Sequence, residues 1–95
     1  MSAYMIVTIE EMIDPDAMRH YAANVDGVVK QFDGVFLVPR GTTRVIEGSW
    51  DPGVVALIEF PSAKRVLDFY ESPEYRPLRD LRHRAAKTSI VITEG

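Results

Sequence analysis

The chain contains no cysteine. Disulfide bonds, thiolate nucleophiles and cysteine-based metal sites are therefore excluded. It also lacks a basic run: 11 Lys and Arg face 14 Asp and Glu, for a formal net charge of -3. That balance argues against nucleic acid as a partner. No apolar run approaches the roughly 18 residues of a membrane span, and no pattern of basic start, apolar run and small-residue cleavage site opens the chain. No membrane partner is expected, and the cytoplasm is the default location. Histidine is scarce, with only His20 and His83. Each reads as lying opposite the apolar row of its helix, and the two are too far apart in sequence for a local metal motif. No metal or other cofactor is expected. Glycine-rich nucleotide loops, the G-x-S-x-G elbow and the H-E-x-x-H pair are also absent.

What is present reads as one ordinary globular domain over residues 1–95, with 46% hydrophobic and 26% charged residues. A domain this small buries a modest share of its surface, so a partner subunit would help it. Ala3 to Ile9 alternates β-branched and aromatic residues and predicts a strand that Glu10 and Glu11 bring to an end. Asp14-Pro15-Asp16 supplies a cap, a first-turn proline and an acid for the helix dipole. Met18, Tyr21, Ala22, Val25, Val28, Val29 and Phe32 then recur at helical spacing. Asp33-Gly34 closes that helix, with Gly34 in the left-handed conformation.

Val35 to Val38 predicts a second strand, kinked at Pro39-Arg40-Gly41 and resumed from Thr43 to Glu47. Asp51-Pro52-Gly53 is a turn, and Val54 to Phe60 a third strand. Ser62 caps a short helix whose inner face is Val66, Leu67, Phe69 and Tyr70. Ser72-Pro73-Glu74 repeats the start signal for a further helical piece, with Leu78, Leu81 and Ala85 inward. Thr88 to Thr93 predicts the last strand.

The order β-α-β-β-α-β predicts an α+β, ferredoxin-like fold: a four-stranded antiparallel sheet with its helices on one face. Alternation puts Met5, Val7 and Ile9 toward the helices, and Tyr4, Ile6 and Thr8 on the other face with Val55, Leu57, Glu59, Ser89, Val91 and Thr93. The third strand is apolar on both faces. Leaving an apolar face in water costs about 25 cal/mol per Å². A second copy of the chain is the simplest cover, which predicts a homodimer forming a dimeric α/β barrel.

Several residues are candidates for chemistry. Glu59 is a carboxylate in a mostly apolar setting, where burial suits proton transfer; at the strand end it can also simply reach water. Glu47 precedes Gly48 and Trp50, and the indole offers a flat surface for a planar ligand. The same pair can equally be an edge-strand charge and a lid on a dimer core. Tyr75, Arg79 and Arg82 form one helical stripe. Arg82 lies closest to the inward row, where it would meet Glu47, Glu59 or a ligand carboxylate. Arg79 reads as solvated. Tyr21 lies on the apolar row of the first helix, so its hydroxyl needs a partner or points into a pocket.

Tyr4, Asp14-Pro15, Tyr21, Gly34, Glu47-Gly48-x-Trp50, Glu59-Phe60-Pro61-Ser62, Tyr70-x-Ser72-Pro73-x-Tyr75 and Arg82, in that order, resemble the domain of unknown function 1330 family. The resemblance covers nearly the whole chain. It implies a ferredoxin-like subunit of the dimeric α/β-barrel superfamily and carries no established activity. The wider superfamily includes cofactor-free monooxygenases, haem-binding enzymes, muconolactone-type isomerases and stress-response proteins. Haem does not fit, because neither His is placed as an axial ligand. Where relatives often have a Gly-Gly pair entering the second strand, this chain has Asp33-Gly34.

The expectation is therefore a homodimer acting on, or binding, a small acidic or aromatic molecule. As a cofactor-free isomerase or monooxygenase, it would use Glu47, Glu59 and Tyr21 for acid, base and orienting roles, and Trp50, Tyr75 and Arg82 to hold the substrate. As a binding or stress-associated dimer, it would use the same pocket without turnover.

Overall fold

The computed structural model describes residues 2–95. Its elements are β1 (Ala3–Met12), α1 (Pro15–Gln31), β2 (Val35–Thr42), β3 (Val54–Phe60), α2 (Ala63–Tyr70), α3 (Arg76–Ala85) and β4 (Ala86–Glu94). The strands make one antiparallel sheet in the order β2-β3-β1-β4. This is the ferredoxin-like arrangement predicted from the element order.

The helices cover one face of that sheet. Val25 and Val29 of α1, Val66 and Phe69 of α2, and Leu78 of α3 share a core with Met5, Val7, Ile58 and Phe60. Paired residues of antiparallel strands share a face, so the register fixes the other side. Tyr4 pairs with Glu59 and Thr93, Ile6 with Leu57 and Val91, and Thr8 with Val55 and Ser89. Val35 and Val38 join them through Glu59 and Leu57. Among the described residues, no helix covers this second face. Val35 is 58% exposed and Val91 57%.

Local signals explain most boundaries. Asp14 Oδ1 accepts from the Ala17 N–H at 3.2 Å and starts α1, and Ser62 Oγ accepts from the Arg65 N–H at 3.1 Å and starts α2. Ser72 Oγ accepts from the Tyr75 N–H at 3.1 Å and donates to the Phe69 carbonyl at 2.8 Å. It therefore pins the turn that leads into α3.

Four expectations are corrected. β1 does not stop at Glu10 but continues to Met12, through a register shift between Ile9 and Glu11 that absorbs the two acids. β2 is bulged around Val38, as the Pro39-Arg40-Gly41 kink suggested, but it ends at Thr42. Thr43 to Glu47 belongs to no strand. There the Thr43 hydroxyl donates to the Gly53 carbonyl at 2.6 Å and closes residues 43–53 into a loop. Leu67 is not on the inner face of α2, being 49% exposed.

The fourth correction concerns the end of α1. Asp33, not Gly34, takes the left-handed conformation, with φ 66°. Gly34 is required for a different reason. A Cβ there would lie 2.5 Å from Val29 Cγ1 and 2.8 Å from the Phe60 ring. Gly34→Ala is expected to cost about 1–3 kcal/mol by overpacking, read as a lower urea midpoint at unchanged slope.

Candidate functional site

Tyr21, Tyr75 and Arg82 are separated in sequence yet meet in one hydrogen-bonded group. The Ser72 turn orients Tyr75, and the Arg79 N–H donates to the Tyr75 carbonyl at 2.8 Å as α3 begins. Arg82 follows seven residues later, two helical turns along the same face. At the far end of α3, the Ala85 carbonyl accepts from the N–H groups of Ile13 and Asp14, each at 2.8 Å. That clamp ties the start of α1 to the end of α3 and brings Tyr21 against Tyr75. The two rings meet edge to face with centroids 6.2 Å apart, and their hydroxyls are 2.6 Å apart.

Arg82 is 2% exposed. Its Nε donates to the Tyr75 hydroxyl at 3.3 Å, one terminal nitrogen donates to the Thr88 hydroxyl, and the other lies 3.4 Å from His83 Nε2. Each nitrogen has one partner, so donor capacity remains. Among the described residues, the carboxylates in ion pairs serve Arg19, Lys30, Lys64 and Arg65, and none serves Arg82. Burial works against the Arg82 charge, yet the surrounding Tyr75, Tyr21 and Tyr70 hydroxyls outweigh it and its pKa lies above the ordinary arginine value. Burial, then the charges of Arg82 and Arg79, hold His83 below the usual histidine value despite Asp80. That shift favours the neutral ring, whose Nε2 accepts from Arg82 in the tautomer that carries its proton on Nδ1.

This group borders two cavities. The larger, of about 670 Å³, lies between α1 and the sheet. Its walls include Met5, Val7, Met18, Val25, Phe36 and Ile58, together with Tyr21 and Arg82. The smaller, of about 290 Å³, lies beside α2 and β4 and includes Tyr70, Arg82, His83 and Thr88. An apolar chamber with a few convergent polar groups is the usual form of a small-molecule site.

The remaining candidates lie elsewhere. Glu59 is on the uncovered sheet face beside Tyr4 and Val35. Glu47 and Trp50 sit in the 43–53 loop, Trp50 is 70% exposed, and neither lines either cavity. Arg79, expected to be solvated, is half-buried with its guanidinium over the Tyr70 ring at 5.2 Å. Two contributors were not anticipated. Thr88 anchors Arg82 from β4, and Arg40 lines the larger cavity. The Pro39-Arg40-Gly41 kink was legible, but the direction in which it sends Arg40 was not. Among the described residues, no cluster of His, Asp and Glu is arranged to hold a metal, and no helix is long and apolar enough to cross a membrane.

Comparison with solved structures gives the same fold at low identity. A dimeric ferredoxin-like protein of unknown function from Jannaschia sp. CCS1 is 16% identical, with full coverage of both chains and a TM-score of 0.77. A protein of unknown function from Rhodopseudomonas palustris is 17% identical, with 99% of this chain and 82% of that one covered and a TM-score of 0.74. A variant of SnoaB, a cofactor-independent oxygenase from Streptomyces nogalater, is 12% identical, with 99% and 92% covered and a TM-score of 0.70. Comparison with curated proteins finds no match. The family described as a domain of unknown function, DUF1330, matches residues 2–95, and with its whole length accounted for the chain belongs to that family.

Proposed function

We infer that the protein is a homodimer whose cavity beneath α1 binds a small acidic or aromatic molecule. The observation that supports binding is Arg82: a guanidinium buried at the wall of an apolar chamber, with no carboxylate partner among the described residues. A buried charge is costly unless paired, and an anionic ligand would supply the pair. The chemistry that fits is cofactor-free acid–base catalysis of the isomerase or monooxygenase type. The Streptomyces neighbour is a cofactor-independent oxygenase, and here Tyr21 offers a hydroxyl on the cavity wall. Glu59 enters this reading as acid or base only where a second subunit covers the sheet. Glu47 and Trp50 enter it only where their loop closes over a bound molecule. A cytoplasmic location belongs to the same reading.

The test is calorimetric titration with naphthoate and para-nitrophenolate against their neutral counterparts, naphthamide and nitrobenzene. The anions are expected to bind at least about tenfold more tightly, the effect of one charge-assisted hydrogen bond. Equal affinities would contradict the reading. A non-catalytic dimer would use the same groups, and a metabolite screen for turnover separates the two. Turnover that is lost in Tyr21→Phe with binding retained favours catalysis. Turnover unchanged in Glu47→Gln removes Glu47 from the mechanism.

The dimer is supported by the uncovered apolar face and by the dimeric Jannaschia neighbour. Light scattering is expected to give twice the chain mass at micromolar concentration. Leu57→Glu, which puts a charge in the middle of the face, is expected to shift the mass to the monomer. A wild-type monomer would contradict the assembly.

A further inference from the structure

We propose that the cavity beneath α1 is an oxyanion site: it takes an apolar molecule bearing one enol- or phenol-type oxygen, which the Tyr21 hydroxyl holds as the anion. This rests on the reading that the cavity binds a small molecule, and it narrows the chemistry of that molecule.

The direction of the hydrogen bonds carries the argument. A guanidinium has donors and no acceptor, so Arg82 Nε gives its hydrogen to the Tyr75 oxygen at 3.3 Å. Tyr75 is 0% exposed, and its hydroxyl also lies 2.6 Å from that of Tyr21. A buried O–H without an acceptor costs about 1–3 kcal/mol, so Tyr75 gives its hydrogen to the Tyr21 oxygen. The Tyr21 hydrogen is then free, on a side chain that lines the cavity. The chain runs from the guanidinium through Tyr75 to Tyr21 and ends at the cavity, and each link polarises the next.

Tyr21 is a donor here and not a base. Burial first, then Tyr75, push its pKa far above the ordinary tyrosine range. Tyr21 lines a chamber with Met5, Val7, Val25 and Ile58 around it and Arg19, Asp26 and Arg40 also on the lining, and a fixed donor there stabilises an oxyanion far better than water-exposed groups do. The charge of Arg82, in the same wall, offsets that of the ligand. A carboxylate is best held by the parallel fork of a guanidinium. The Arg82 fork is already turned toward Tyr75, Thr88 and His83. One oxygen at the end of the chain fits better than two at the arginine. Tyr75 and Arg82 thus act as positioning residues for the Tyr21 donor.

The probe is para-nitrophenol, whose absorbance reports its ionisation. With the wild-type protein in excess, the bound phenol is expected to lose its proton to water at a pH about one unit or more below that of the free phenol, a tenfold change in ionisation constant. Tyr21→Phe, which retains the ring, is expected to bind para-nitrophenol and return its ionisation to the free value. Tyr75→Phe is expected to reduce the shift. Should Tyr75→Phe fail to fold, the wild-type and Tyr21→Phe absorbances still decide. A bound phenol that ionises at or above the free pH, or a shift that survives Tyr21→Phe, overturns the proposal. Binding of naphthoate without binding of para-nitrophenol also overturns it, while leaving the broader reading in place. If no aromatic anion binds, both fall.

Discussion

Arg82→Met is expected to weaken binding of para-nitrophenolate by roughly ten- to a hundredfold, because the charge that offsets the anion and the orientation of the Tyr21 donor to it are both lost, while leaving the melting temperature unchanged or raised. The two halves of that result come from one physical fact. Arg82 is held out of water without a carboxylate among the described residues, so its charge is offset by neutral hydroxyls and not by an ion pair. Replacing such a buried charge with an apolar side chain of similar length is often neutral or stabilising. Methionine fits the role, because it is unbranched and adapts to irregular space. The Tyr75 and Thr88 hydroxyls that accept from Arg82 are rotors and can turn toward other partners. An arginine whose only purpose was structural would give the opposite result, with stability lost and no ligand effect. Calorimetric affinity and a thermal melt on the same sample separate the two.

Phe69→Ala is expected to cost about 3–5 kcal/mol, the range for removing a fully buried aromatic side chain. Phe69 is 0% exposed. Its ring centroid lies 6.2 Å from Phe32, 5.6 Å from Phe60 and 4.3 Å from Tyr75. It therefore joins the end of α1, the end of β3 and the start of α3 at one point. Small domains are stable by only about 5–15 kcal/mol in total, so the loss is a large fraction of the whole. The change should also reach the site. Tyr75 packs directly on Phe69, and a loosened Tyr75 no longer directs its hydrogen to Tyr21. Urea unfolding reads the stability loss. A reduced ionisation shift of bound para-nitrophenol, measured where the variant is still folded, reads the coupling. Phe69→Leu should recover a substantial part of both.

How legible these features were depends on whether their causes are local. Asp14 and Ser62 cap their helices within three residues of themselves, so their roles were written in short strings, whereas Ser72 holds the turn before α3, which starts only at Arg76 with no side-chain cap. The sheet faces were legible because alternation has a period of two, and a single assigned residue fixes the rest of a strand. The pairings of Ile6 with Leu57 and Val91 follow directly. The Tyr75–Arg82 pair was visible as a helical stripe.

The contact between Tyr21 and Tyr75 was not visible. It spans 54 positions and depends on the Ala85 carbonyl receiving the start of α1. Backbone contacts of that kind leave no mark in residue type. The loop with Glu47 and Trp50 shows the reverse case. Its residues suggest chemistry, but the bonds that close it, from Thr43 to Gly53 and from the Gly53 N–H to Asp51, keep it apart as a separate excursion. Gly34 was singled out for its backbone freedom, whereas its missing side chain is what Val29 and Phe60 require.

The most direct test of the account is the nitrogen resonance of Arg82 Nε–H, followed by NMR during titration with para-nitrophenolate. A slowly exchanging signal is expected in the free protein, because Arg82 is buried. This signal and the Tyr21 ring signals are expected to move together as the ligand is added. An Arg82 signal that stays fixed, while the shifts fall on the 43–53 loop around Glu47 and Trp50 or on the sheet face around Glu59, would contradict it.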